Sequence, residues 1–310
     1  MKVALIGNGV QSKRIQKILK KINVRFKVFT SKNNILNNKL KIKKLNSFSA
    51  IFILSPNNSH YNYIKEFYKK NYIFCEKPPV STMKQLKNIK NIKSDKLYFN
   101  FNFLFSKLAK ILKNKERYKL GKLLTISIMI SYGLAKKKIY LNNWRSKKNK
   151  CPKGIFEVVL IHYLNLITDN FFVKKMKKFK LSNVSKKGSS YDTAECQLEL
   201  KDNVFANLFA TYNGPLTKKI IFLFTNGIIE QDENQINIAG PAENYDQKGF
   251  FIKPKNKEKF KISEKKDYEN SLNESVKFFI RTVKNKKIFK KKTFTNSIKA
   301  SSFIFSKINK

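Results

Sequence analysis

The sequence predicts an α/β protein of two domains: a doubly wound parallel sheet over residues 1–120, then an α+β domain over residues 121–310 built on an open, largely antiparallel sheet. Three observations carry this. Short apolar runs alternate with amphipathic stretches over the first hundred residues. Near Gly121 that rhythm gives way to longer strands with hairpin-like turns. The 310 residues suffice for two domains of ordinary size, each with its own core.

In chain order, strands are expected at 3–6, 26–29, 50–54, 72–75 and 97–101, each a short run of aliphatic or aromatic residues. The connections read as helical. Ile15, Ile18, Leu19 and Ile22 recur at helix spacing, and 61–68 has the same character. In the second half, strands are expected at 123–131, 193–200, 204–211 and 219–224, the second and third joined by a tight turn at Lys201, Asp202 and Asn203. One helix interrupts them at 155–167 and another follows at 271–283. Three lysine-rich stretches, 174–180, 253–266 and 284–292, read as solvated loops or helix faces.

Lys and Arg total 66 against 20 Asp and Glu, a formal net charge of +46 that invites a nucleic-acid or acidic-membrane reading. Only five of the 66 are arginines, however, and specific phosphate and base recognition recruits arginine for its bidentate fork. The lysines are spread along the whole chain beside an excess of Asn, Ile, Phe and Tyr, as coding bias in an AT-rich genome produces. No specific nucleic-acid partner is expected. Cys75, Cys151 and Cys196 lack any motif spacing, which points to a reducing compartment and to neither a disulfide framework nor a metal site. Met1 leads at once into the first strand, and no apolar run is long enough to span a bilayer. A soluble, cytoplasmic protein without membrane insertion is expected.

The first strand runs into Gly7, Asn8, Gly9, Val10, Gln11 and Ser12, a GxGxxG pattern whose third position is serine. Gly7 permits the turn, Gly9 lets the backbone approach a pyrophosphate, and small Ser12 lets the next helix pack closely on the strand. The free N–H groups of that helix then face the phosphates. In its strand, turn and helix context, the pattern predicts a Rossmann domain that binds a dinucleotide. The second strand usually ends in an acid for the ribose 2′-hydroxyl, but here it ends Phe29, Thr30, Ser31, Lys32. A hydroxyl pair beside a lysine suits a 2′-phosphate, so NADP is favoured over NAD.

Two further stretches narrow the reading. Ser55, Pro56, Asn57, Asn58, Ser59 and His60 follow the third strand, and Cys75, Glu76, Lys77 and Pro78 follow the fourth. They resemble the (T/S)PNxxH and EKP motifs of the Gfo/Idh/MocA family, the relatives of glucose-fructose oxidoreductase and inositol dehydrogenase. Trp144 and Arg145, then Gly154 and His162, resemble the family's WR…G…H segment, and the likeness continues through 226–230 and a final helix at 300–308.

The resemblance implies an NAD(P)-dependent oxidoreductase that transfers hydride to or from a carbinol or carbonyl of a sugar, sugar nucleotide or cyclitol. It implies that Lys77 lies beside the nicotinamide and holds the reacting oxygen, that Glu76 orients Lys77, and that Pro78 follows a cis bond. Ser55, Pro56, Asn57, His60 and Asn102 then line the cofactor pocket, while Trp144, Arg145 and His162 belong to the substrate. A homodimer or homotetramer formed through the open sheet is also implied. Surface-sugar biosynthesis is the expected setting, because anionic sugar nucleotides suit a lysine-rich second domain.

The chemistry independently asks for such groups. Oxidising a carbinol requires a base within about 3 Å of the hydroxyl. His162 is one of two histidines, a residue type with an ordinary pKa of about 6.5. Lys77 serves either as a base, if burial lowers its pKa, or as a cation that stabilises a developing alkoxide. Three positions depart from the family. Leu104 stands where arginine is usual, and Val158 and Asn165 stand where acids flank the histidine. Glu157 adjoins the first of those acid positions, but one residue of α-helix turns a side chain by about 100°, so it is not expected to substitute. A catalytically weakened dinucleotide-binding sensor or partner protein of the same fold is the alternative.

Overall fold

In a computed structural model that describes residues 1–30, 35–92, 95–240 and 245–306, the chain forms two compact units. One comprises Met1–Phe105 and Asn270–Phe305, and the other is centred on Ser106–Glu269. The first begins with β1 (Lys2–Ile6), α1 (Val10–Lys21), β2 (Arg25–Phe29), α2 (Lys39–Asn46), β3 (Ala50–Ile53), α3 (His60–Phe67), β4 (Tyr72–Glu76), α4 (Met83–Lys90) and β5 (Leu97–Asn100). All five strands pair in parallel in the order β2-β1-β3-β4-β5. β3 is buried along its whole length and β1 along all but its first residue, as strands covered on both faces must be. The order reverses at β1, so the connections after β1 and β3 leave a crevice at the strands' carboxyl ends, where open α/β sheets bind ligands.

The second unit holds α5 (Lys107–Lys113), β6 (Leu123–Ser131), a π-helical turn at Phe156–Leu160 that runs into α6 (Ile161–Asn170), and then β7 (Val173–Ser182), β8 (Thr193–Leu200), β9 (Phe205–Thr211), β10 (Thr217–Phe224), β11 (Gly227–Gln231), β12 (Gln235–Ala239) and β13 (Asn256–Lys261). These strands make one sheet in the order β13-β12-β11-β10-β6-β9-β8-β7, antiparallel except between β6 and β9. The turn and α6 anchor on it through Phe156, whose ring centre lies 4.6 Å from that of Phe179. The other face leaves Met129, Phe205 and Leu223 exposed. α7 (Glu264–Lys284) then returns the chain to the first unit, where α8 (Lys291–Ser302) ends the helices. There Phe279 meets Phe52 and Phe74 edge-on, at 5.1 and 5.3 Å. Among the described residues no helix is long and apolar enough to cross a membrane.

Several expectations are corrected. Residues 174–180 are not a loop or helix face but the body of β7, and 253–266 holds β13 and the start of α7. These are the two edge strands of the eight-stranded sheet. At an edge, lysines reach water while Val173, Phe179 and Leu181 point inward, and the charge together with two register shifts in β7 blocks pairing with another chain. Residues 284–292, by contrast, are the expected loop and helix faces: Lys284 ends α7, 285–290 form the loop, and α8 starts at Lys291. The final helix expected at 300–308 is instead α8, closed by a 3₁₀ turn at Phe303–Phe305, with 307–310 outside the described residues. Its buried face is set by Phe294 and Ile298, four residues apart.

Candidate functional site

The turn after β1 separates two glycine roles. Gly7 has φ +112°, donates its N–H to the Phe29 carbonyl at 2.8 Å, and lies so close to the chain after β3 that a Cβ there would stand 2.5 Å from the Leu54 oxygen. It is fixed by protein. Gly9 is extended, caps α1, and has nothing within 4 Å of the place a Cβ would occupy. α1 has no side-chain cap and no acid in its first turn. Twelve residues of aligned peptide dipoles therefore end, without a side-chain cap, beside the open space at Gly9, the arrangement that accepts a diphosphate. Ser12 is fully buried, whereas Asn8 and Val10 are exposed. Ser31 and Lys32 lie outside the described residues.

A polar relay ties this turn to the motif after β4. Gln11 Nε2 and Asn100 Nδ2 both donate to Glu76 Oε1, at 3.0 and 2.7 Å. Ser275 Oγ donates to Asn100 Oδ1 at 2.6 Å. Lys77 follows, half-buried, before a cis bond to Pro78. His60 is wholly buried: its Nδ1 lies 2.8 Å from the Pro78 carbonyl oxygen and its Nε2 2.8 Å from that of Ser55. It thus clamps the loop after β3 to the loop after β4. Burial lowers its pKa, the two carbonyls pull the other way, and the charge of Lys77 adds to the lowering. Gly7 to Gln11, Ser55 to Asn57, Glu76 and Lys77 are so brought together at the carboxyl ends of β1, β3 and β4. Asn102 is held inside, its amide donating to Ser271 Oγ at 2.8 Å, with Leu104 buried nearby in the same 3₁₀ turn.

Burial pushes the Glu76 carboxyl up from its ordinary value, against the opposing pull of Asn100, Gln11 and Lys77. A carboxyl raised in the folded chain contributes stability that is present in acid and lost as pH rises through the folded pKa. Glu76→Gln keeps an oxygen for both amide donors and removes the charge. At pH 7 the variant is expected to melt above the wild type, by roughly 2–4 °C for each kcal/mol recovered. The two curves should converge below about pH 4. Equal Tm values at pH 7 would contradict the buried-charge account.

On the second unit, Trp144 and Arg145 share a 3₁₀ turn, the guanidinium 4.7 Å from the indole ring centre. Among the described residues Arg145 pairs with no carboxylate. Gly154 has φ +54°, and the N–H of Ile155 bonds the Tyr191 carbonyl at 3.0 Å. From this pinned start the π-turn leads to His162, which is nearly buried on α6. Val158 is half-buried, and Asn165 is fully buried, with no hydrogen-bond partner among the described residues for either side-chain amide atom. Asn100 and Ser275 were not legible as site residues, since nothing in their local sequence marks them until β5 and α7 are placed.

Residues 3–97 match the model of the Gfo/Idh/MocA family, described as an oxidoreductase family with an NAD-binding Rossmann fold. This segment is a Gfo/Idh/MocA NAD-binding domain. Ser55 to His60 and Glu76 to Pro78 lie within this matched segment. The whole chain is similar in fold to several solved structures. Levoglucosan dehydrogenase, in complex with NADH and levoglucosan, is 14% identical with a TM-score of 0.75, over 98% of this chain and 95% of that one. An oxidoreductase from Thermotoga maritima is 15% identical with a TM-score of 0.76, over 98% and 94%. An inositol dehydrogenase homolog complexed with NAD+ from Azotobacter vinelandii is 12% identical with a TM-score of 0.72, over 98% and 93%. At such identities the likeness establishes the fold. No curated protein matches the sequence.

Proposed function

We propose that the protein is an NAD(P)-dependent oxidoreductase that moves hydride between the nicotinamide and a carbinol or carbonyl carbon of a sugar, sugar nucleotide or cyclitol. The observation that carries this reading is the open position at Gly9, on the uncapped end of α1 and one residue pair from Gln11, which is bonded to the Glu76–Lys77 motif. Gly7 to Gln11 hold the diphosphate. Ser55 to Asn57 and Lys77 hold the nicotinamide side, and the sequence Ser31-Lys32, with no acid, favours NADP. The bound dinucleotide supplies the hydride acceptor or donor. Lys77 steadies the charge on the reacting oxygen, and His162 takes or returns the hydroxyl proton. Trp144 and Arg145 bind the substrate, Arg145 suiting an anionic group because among the described residues no carboxylate pairs with it.

The setting is cytoplasmic surface-sugar metabolism, with the exposed face around Met129, Phe205 and Leu223 joining copies in a homodimer or homotetramer. The levoglucosan and inositol dehydrogenase structures support the substrate class by their fold. Fluorescence titration with NADH and NADPH tests the reading. The wild type is expected to bind, with NADPH tighter. Gly9→Val should weaken binding by about 100-fold, roughly 2.7 kcal/mol, without lowering Tm. A wild type that ignores both nucleotides would overturn the proposal. Binding without turnover over a panel of sugars and cyclitols would favour the sensor alternative, to which Val158 and Leu104 point.

A further inference from the structure

Between β12 and β13 the chain makes a tight tip whose apolar side chains face water. Phe251 is 82% exposed and Phe250 67%, with Tyr245 and Ile252 exposed beside them. Coding bias accounts for how many phenylalanines the chain has, not for where they lie. Among the described residues only Phe172, Phe250 and Phe251 are phenylalanines more than half exposed, and two of the three are adjacent here. Single exposed apolar residues are ordinary, whereas a contiguous group marks a place of contact.

The tip is built to present them. The Asp246 carboxylate accepts the N–H groups of Lys248 and Phe250, both at 2.9 Å, and the Asp246 N–H donates to the Phe250 carbonyl at 2.9 Å. Gly249, at φ +80°, closes the turn by donating its N–H to the Asp246 carbonyl at 3.0 Å. Tyr245 bridges to Phe251, their ring centres 4.9 Å apart. A turn held in this way keeps its shape without burying Phe250, Phe251 or Ile252. Its rim is basic. Lys248, Lys253, Lys255 and Lys257 are all exposed, and among the described residues no carboxylate pairs with them. The acids beside them are engaged elsewhere, Asp246 in the turn and Glu258 with Arg117 at 2.8 Å.

Apolar side chains inside a ring of lysines match an anionic bilayer surface. The rings seat at headgroup level, and lysine stems lie along it while their ammonium groups reach the phosphates. One such signal attaches a protein weakly, and the two together hold it. Other occupants fit less well. A second copy would bring a like-charged rim against this one. A nucleic acid is gripped best by arginine forks, and residues 240–266 contain no arginine.

We propose that Tyr245 to Lys257 form a peripheral docking tip for an anionic lipid surface, with Phe250, Phe251 and Ile252 entering the headgroup region and the four lysines meeting lipid phosphates. The contact crosses no bilayer and needs no spanning helix.

Co-sedimentation of the full chain with lipid vesicles tests this. It uses neither cofactor nor sugar, so its outcome is independent of the oxidoreductase reading. Phosphatidylcholine vesicles with about one-third phosphatidylglycerol are expected to bind the protein at least about tenfold more tightly than phosphatidylcholine alone. Phe250→Ser/Phe251→Ser keeps every charge and disturbs no core, so it should weaken binding by about tenfold or more with an unchanged Tm. Lys253→Gln/Lys255→Gln/Lys257→Gln should weaken it by about 100-fold, near fivefold for each lysine. Lys286→Gln/Lys287→Gln/Lys290→Gln removes the same charge from an exposed loop of the other unit and should cost less than about threefold, since salt screens charges held away from the surface. A wild type that leaves the anionic vesicles unbound overturns the proposal. So does full binding by the phenylalanine variant, or equal loss from the two lysine triples, because the attraction is then one of net charge alone. A phenylalanine variant that loses self-association or single-stranded RNA binding, while its vesicle binding persists, gives the tip to a second copy or to nucleic acid and likewise overturns it.

Discussion

Gly154→Ala is expected to destabilise the protein by more than about 4 kcal/mol, beyond the range of ordinary single substitutions. Two effects add. The left-handed backbone at φ +54° costs an alanine about 1–2 kcal/mol. The larger effect is steric: the new Cβ would stand 1.7 Å from the Tyr191 oxygen and 2.6 Å from its carbonyl carbon. Both are backbone atoms, so no rotamer change relieves the clash. The segments must separate, and the bond from the Ile155 N–H to Tyr191 breaks with them. Because that bond seats the start of the π-turn, the damage extends to His162. Thermal melting should show a fall of roughly 8–16 °C. A Gly154→Ala protein that melts within about 2 °C of the wild type would show that the helix is not pinned on Tyr191. Gly9 is the internal contrast, since a side chain there meets open space.

That contrast shows what was legible beforehand. Both glycines of the first turn stand out in the sequence, and strand context assigns their roles, because a turn after a buried parallel strand has few ways to proceed. The strands β1 to β5 were readable for the same reason: burial on both faces leaves continuous apolar runs. β7 and β13 were not, because their outward lysines dilute the alternation and mimic a solvated loop. β11 and β12, at five residues each, are too short for periodicity to register. The relay from Gln11 through Glu76 and Asn100 to Ser275 spans 264 positions, from 11 to 275, and takes shape only once strand order is known.

Lys77→Met is expected to reduce turnover by about 10³-fold, near 4 kcal/mol of transition-state stabilisation, while dinucleotide affinity changes by no more than about threefold. The surroundings of Lys77 make the substitution clean. Glu76 on one side is held by Gln11 and Asn100, and Pro78 on the other is held through its carbonyl by His60. The backbone therefore keeps its course when the side chain changes. Methionine preserves the length and apolar stem of lysine and removes only the ammonium. If that charge acts on the oxygen where negative charge develops, the loss falls on kcat rather than on KM, because the ground-state substrate presents a neutral hydroxyl. Lys77→Arg should recover part of the rate, limited by the breadth of its planar fork. A second readout follows from the Glu76 carboxyl, whose pKa the Lys77 charge holds down. Removing the charge should raise the Glu76 midpoint further, observable by carboxyl-13C NMR without substrate. Turnover within tenfold of wild type, in a variant whose Glu76 midpoint has moved, would take Lys77 out of the chemical step and leave it a merely electrostatic neighbour of the relay.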